Sequence, residues 1–88
     1  MKIKVELFGI CREFSDKDHL NFDFNNEITV RELKNKMIEI VKQKFPENQN
    51  YHEMVDKSAF SLNDEVVGED LKLNKNETIS IIPPIGGG

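Results

Sequence analysis

Three glycines, Gly86, Gly87 and Gly88, follow Pro83-Pro84-Ile85 directly behind the strand-like run Thr78-Ile79-Ser80-Ile81-Ile82. Glycine has no Cβ, so neighbouring backbone can close around it and its φ and ψ are nearly free. Proline does the opposite: it fixes φ, removes a backbone donor and ends a strand. The sequence therefore reads as a stiff collar in front of a slender tip. From Pro83 onward six residues reach at most about 20 Å when extended. The chemistry such a tip offers is that of a terminal carboxylate, carried on a stalk thin enough to enter another protein's pocket. Chain ends are commonly disordered, so a plain glycine linker stands beside the reactive reading.

The other chemistry-bearing residues are few. Cys11 is the single cysteine, so no disulfide, iron–sulfur site or cysteine-based zinc site can be built within the chain. A plant-type ferredoxin, which needs four thiolates, is excluded as well. With no adjacent base, Cys11 reads as a small, partly buried apolar residue, not a nucleophile. His19 and His52 lack a companion at metal-ligand spacing and read as surface residues, so no metal site is expected. No catalytic constellation forms within the chain, and chemistry at Gly88 would have to be supplied by partners.

Eighty-eight residues make one domain, near the lower limit for a self-sufficient core. An apolar fraction of 38% and a charged fraction of 32% suit a soluble globular fold. The net charge of −4 leaves no electrostatic footprint for nucleic acid and suits a partner with a basic docking rim. Nothing resembles a signal peptide and no apolar run approaches a membrane span. The expectation is a small cytoplasmic protein.

The elements that must position the tip follow from periodicity. Lys2 to Phe8 alternates with period two, placing Ile3, Val5 and Leu7 on a core face and Lys4, Glu6 and Phe8 on the other. Ile10 to Phe14 has room for a turn or two of helix. Leu20 to Phe24 alternates again and stops at Asn25-Asn26, so the N-terminal part reads as a hairpin. Thr29-Val30-Arg31-Glu32 is a capping box. Behind it Val30, Leu33, Met37, Ile40, Val41 and Phe45 keep helical spacing, with Arg31, Lys34, Lys36 and Lys42 on a solvated outer face, until Pro46. Glu47 to Lys57 is polar and irregular, with a short helical turn near Tyr51 to Val55. Ala59 to Leu62 and Glu65 to Val67 form a hairpin turned by Asn63-Asp64, Leu71 to Asn76 is a connector, and Thr78 to Ile82 is the last strand. The sum is an α+β arrangement, a mixed sheet of four to five strands packed against one main helix. A last strand lying parallel to the first would be central, and the tail would leave from mid-sheet.

Four blocks carry a resemblance that covers essentially the whole chain: Lys4-Val5-Glu6-Leu7-Phe8-Gly9 with Arg12-Glu13-Phe14, the helix start Thr29-Val30 with Glu32-Leu33, Leu62-Asn63, and Pro83-Pro84-Ile85 ahead of Gly87-Gly88. In order and at this spacing they resemble the β-grasp sulfur-carrier proteins, specifically the small subunits of molybdopterin synthase. Two departures stand out. Asn76-Glu77 replaces the usual Gly-Asp before the last strand, where Asn tolerates the left-handed conformation the turn needs. Gly86 replaces a small Ser or Ala, which loosens the tip.

The resemblance implies a ubiquitin-like β-grasp domain over 1–88 with a flexible tail over 83–88. It implies a carrier that is not an enzyme alone and binds no cofactor. An adenylating enzyme related to ubiquitin-activating enzymes would spend ATP to convert the Gly88 carboxylate to an acyl-adenylate. A sulfur donor protein would then give a thiocarboxylate, and the tail would enter the large synthase subunit. Gly86 and Gly87 would form the thin tip, and Pro83 and Pro84 would aim it. Phe8 and Ile82 share the outer sheet face by alternation, and the resemblance places both where the family docks partners. Arg12 falls at a family interface position too, against a surface ion pair with Glu13 or Asp16. Other readings remain open: a ubiquitin-like modifier joined to lysines, a carrier for thiamine thiazole synthesis, or a β-grasp binding module with an inert tail. The residues Ile10 to Ser15 argue against the thiazole carrier, which lacks that insert.

Overall fold

The alternation of the first strand sets the sheet. In the computed structural model, which describes residues 1–84, β1 (Lys2–Leu7) buries Ile3, Val5 and Leu7 and leaves Lys2 and Lys4 in solvent. A 3-10 helix, Gly9–Phe14, turns the chain into β2 (His19–Asp23), which pairs antiparallel with β1, Ile3 opposite Phe22. Next come β3 (Ile28–Thr29), α1 (Val30–Lys44) and α2 (Gln49–Lys57). The remainder is strand: β4 (Ala59–Leu62), β5 (Glu65–Val67), β6 (Lys72–Leu73) and β7 (Glu77–Ile82).

The main sheet runs β2-β1-β7-β4-β5. Its last strand is its middle one. β7 lies parallel to β1, with Val5 opposite Ile79 and Leu7 opposite Ile81, and antiparallel to β4, with Phe60 opposite Ile81. Flanked by strands on both sides and facing the core, Ile79 and Ile81 are fully enclosed. α1 covers one face, pressing Val30, Leu33, Met37 and Val41 onto it. Its start is fixed as the sequence implies: the Glu32 amide donates to the Thr29 hydroxyl at 3.1 Å, and the Thr29 amide donates to Glu32 Oε1 at 3.1 Å.

Three features differ from the sequence expectations. The segment after Pro46 is not irregular: α2 runs nine residues, its N-terminus capped by the Asn48 side chain accepting from the Tyr51 amide. It is held by packing: Tyr51 meets Phe14 and Phe45 edge-on, with ring centroids 5.5 and 5.1 Å apart. The connector before the last strand contains β6, which pairs with β3 through Ile28 opposite Leu73. Lys34 is not on a solvated face at all; it is 2% exposed. Its ammonium donates to the Asp56 carbonyl and to Glu69 Oε2, both at 2.7 Å. Lys34 lies one turn beyond Val30, on the same side of the helix, and α2 folding over that side closes it off. Among the described residues no helix is long and apolar enough to cross a membrane.

Candidate functional site

The geometry converges where β7 leaves the sheet. Ile82 still pairs with Ala59 of β4; Pro83 and Pro84 follow, both half-buried, and without amide donors they end the ladder. Beside them β1 ends as well. Its parallel register, continued past Leu7 and Ile81, brings Phe8 level with Ile82 and Gly9 level with Pro83. Phe8 is 48% exposed and Ile82 38% exposed. By the β4 pairings, Ala59 and Ser61 share this outer face, and Val66, opposite Ser61, extends it. Val66 is 70% exposed.

Phe8, Ile82, Ala59 and Val66 thus form an apolar strip at the end of the sheet from which the tail departs, while Lys2, Lys4, Asn21 and Thr78 make the other end of the same face polar. Val66 escaped the sequence reading. The signal was present, because the Asn63-Asp64 turn fixes the register that sets Val66 opposite Ser61. Both turn residues have positive φ, 54° and 67°, the pattern that a tight hairpin demands.

Of the expected site residues, the structure brings together Phe8, Ile82, Pro83 and Pro84. Gly86, Gly87 and Gly88 lie outside the described residues. Arg12 is exposed on the 3-10 helix, and among the ion pairs of the described residues none joins it to Glu13 or Asp16. Asn76 is not left-handed, positive φ outside glycine being confined to Asn63 and Asp64 among the described residues. Its side chain instead accepts from the Lys2 amide at 2.7 Å, tying the entry of β7 to the start of β1.

Cys11 is fully buried, beyond the partial burial expected. Burial pushes its thiol up to about 11, against the weaker opposing pull of a hydrogen bond with Ser58. At neutral pH it is a neutral packing group, not a nucleophile. Neither histidine is simply a surface residue. Both are half-buried, with His19 Nδ1 2.8 Å from Asp18 Oδ1 and His52 Nε2 3.0 Å from the Phe45 carbonyl. The first contact holds the Asp18 carboxyl below its ordinary value. Among the described residues no group of three or more His, Cys, Asp or Glu side chains is placed to hold a metal ion.

A family model described as the ThiS family matches residues 5–88, from β1 to the last glycine. The chain belongs to the ThiS family. No curated protein matches the sequence significantly. Solved structures also resemble this ThiS-family chain. One, from Pyrococcus furiosus and provisionally assigned as molybdopterin converting factor subunit 1, is 24% identical with a TM-score of 0.70, covering 96% of this chain and 98% of its own. Small archaeal modifier protein 1 of Haloferax volcanii is 15% identical with a TM-score of 0.68, covering 96% and 98%. A complex of subunits 1 and 2 of the molybdopterin-converting factor of Helicobacter pylori gives 20% identity and a TM-score of 0.52, covering both chains fully. At these identities the likeness is one of fold. With the family match it bears out the ubiquitin-like β-grasp architecture and the resemblance to sulfur carriers.

Proposed function

We propose that this protein is a sulfur carrier serving as the small subunit of a molybdopterin synthase. The observation that carries the reading is the family match running unbroken to Gly88, on a fold whose central strand ends in Pro83 and Pro84 beside an exposed apolar strip. A partner can close on Phe8 and Ile82 and receive the tail from the same side, so docking and delivery share one surface. Support for the molybdopterin pathway comes from Arg12-Glu13-Phe14 and the paired prolines, and from the Pyrococcus and Helicobacter neighbours.

In this reading a partner adenylating enzyme uses ATP to join the Gly88 carboxylate to AMP, releasing pyrophosphate. A sulfur donor displaces AMP and leaves a thiocarboxylate. In the large subunit that sulfur passes to the pterin precursor and the carboxylate is regenerated. Activation is needed because a free carboxylate is a poor electrophile, and in this reading it occurs in the partner's site. Arg12 would contribute to the docking surface.

Intact mass after incubation with an adenylating enzyme, ATP and a sulfur source tests the reading. One oxygen exchanged for one sulfur, confined to the C-terminal peptide and lost on deletion of Gly88, is the expected result. No exchange, with an adenylating enzyme active on another carrier, overturns it. Lysine conjugates that survive denaturing gels would favour a protein modifier instead.

A further inference from the structure

Gly9 and Pro83 meet where the parallel pair of β1 and β7 runs out. Two separate features favour glycine at position 9. Its φ of +57° lies in the left-handed region that L side chains rarely adopt. In addition, a Cβ built there would sit 3.1 Å from Pro83 Cγ and 4.0 Å from Cδ. The first explains a turn; the second concerns the tail. Pro83 has no amide to hold it in the ladder, so side-to-side packing must locate its ring. On the β4 flank the antiparallel register continues to Ser58, buried and fixed by its hydroxyl donating to the Met54 carbonyl at 2.6 Å. On the β1 flank lies the space left by the missing Cβ of Gly9.

We propose that Gly9 is a positioning residue for the tail: the notch left by its absent side chain seats the Pro83 ring and fixes the direction in which the chain leaves the sheet. A Cβ there would displace the ring by a few tenths of an ångström. Pro83 is the anchored start of the segment that leads to Gly88, and about 1 Å of misplacement at a reacting group can cost about 100-fold. The consequence for transfer rests on the carrier reading above, whereas the contact rests on geometry alone.

The test is a double-mutant cycle of Gly9→Asn and Pro83→Ala. Asn tolerates the left-handed conformation and so isolates the effect of the Cβ; Pro83→Ala removes the Cγ and Cδ that it meets. With the thermal midpoint near that of the parent, Gly9→Asn is expected to slow the sulfur-dependent mass change about tenfold or more. The double variant is expected to be no slower than Pro83→Ala alone. Additive losses, or Gly9→Asn reacting at the parental rate, overturn the proposal. If the parent shows no mass change, the carrier reading fails and nuclear magnetic resonance decides the contact. Ile82 and Pro84 shifts that respond to Gly9→Asn when residue 83 is proline, and do not when it is alanine, sustain the positioning role; shifts indifferent to Gly9→Asn overturn it. Should Gly9→Asn not fold, Pro83→Ala carries the test: an about tenfold slower reaction with the thermal midpoint kept is expected, and an unchanged rate overturns the proposal.

Discussion

Lys34 carries a charge into the seam between α1, α2 and the segment after β5, where Arg31 Nη1 also meets Glu69 Oε1 at 3.1 Å and Asp56 Oδ1 at 3.5 Å. The Glu69 carboxylate is half-exposed, so it stays hydrated and the pair lacks the full cost of a buried ion. Lys34→Ala, which strips both the packing stem and the donors, is expected to cost about 2 kcal/mol, read by urea unfolding. Lys34→Met keeps most of the stem and is expected within about 1 kcal/mol of the parent at neutral pH. The two should also differ in acid. The Lys34 hydrogen bond holds the Glu69 carboxyl below its ordinary value. Its contribution is therefore complete above the usual glutamate range, near ~4.3, and is lost as pH falls through the lower folded value. Between neutral pH and pH ~3 the parent should lose more stability than Lys34→Met; equal losses would show that the pair contributes nothing.

At the scale of the element, the junction of β3 and α1 does several tasks with few residues. Thr29 pairs with Lys72, caps α1 with its hydroxyl and donates its own amide to the Glu32 carboxylate in return, while the Val30 and Arg31 amides donate to the Leu71 and Glu69 carbonyls at 2.9 and 2.8 Å. The first-turn donors of α1 are thus met partly by its cap and partly by the chain entering β6. Thr29→Ala removes the side-chain share only and is expected to cost about 1 kcal/mol. Thr29→Ser, which keeps the hydroxyl, should recover most of it. Thermal unfolding of the two variants checks this, and an unchanged midpoint in Thr29→Ala would mean that the Leu71 and Glu69 carbonyls suffice. Of this junction, the cap is legible because its partners lie three residues apart. The β3–β6 pairing is not, because each strand is only two residues long and carries no periodicity.

For the molecule as a whole, two phenylalanines six positions apart divide the work. Phe14 is fully buried, its ring 5.5 Å from Tyr51 and 6.4 Å from Phe45, so it joins the 3-10 helix to α1 and α2. Lys44 reinforces the joint by donating to the Phe14 carbonyl at 3.0 Å. Phe14→Ala is expected to cost about 3–5 kcal/mol. Phe8 stands on the outer face at the tail exit, and Phe8→Ala is expected to shift stability by no more than about 0.5 kcal/mol. In the proposed synthase it should still weaken binding to the large subunit at least tenfold, about 1.4 kcal/mol. Calorimetric titration alongside thermal unfolding separates the two effects. Loss of stability on the scale of Phe14→Ala would place Phe8 in the core instead.

The sequence by itself determined whatever is settled within a few residues: the capped start and proline stop of α1, the alternation that buries Ile3, Val5, Leu7, Ile79 and Ile81, the Asn63-Asp64 turn, and the proline collar ahead of three glycines. Those signals are local because caps, turns and strand faces are set by neighbours along the chain. Only the tertiary structure decided the rest. Lys34 finds partners 22 and 35 positions away, and as a charged residue it reads along the chain as part of a solvated face. α2 is held by an aromatic cluster drawn from three segments, and Asn76 reaches back 74 positions to Lys2. The need for glycine at position 9 became visible only once β7 lay parallel to β1 and brought Pro83 against it, since no pattern along a chain records which distant ring will occupy the space beside a residue.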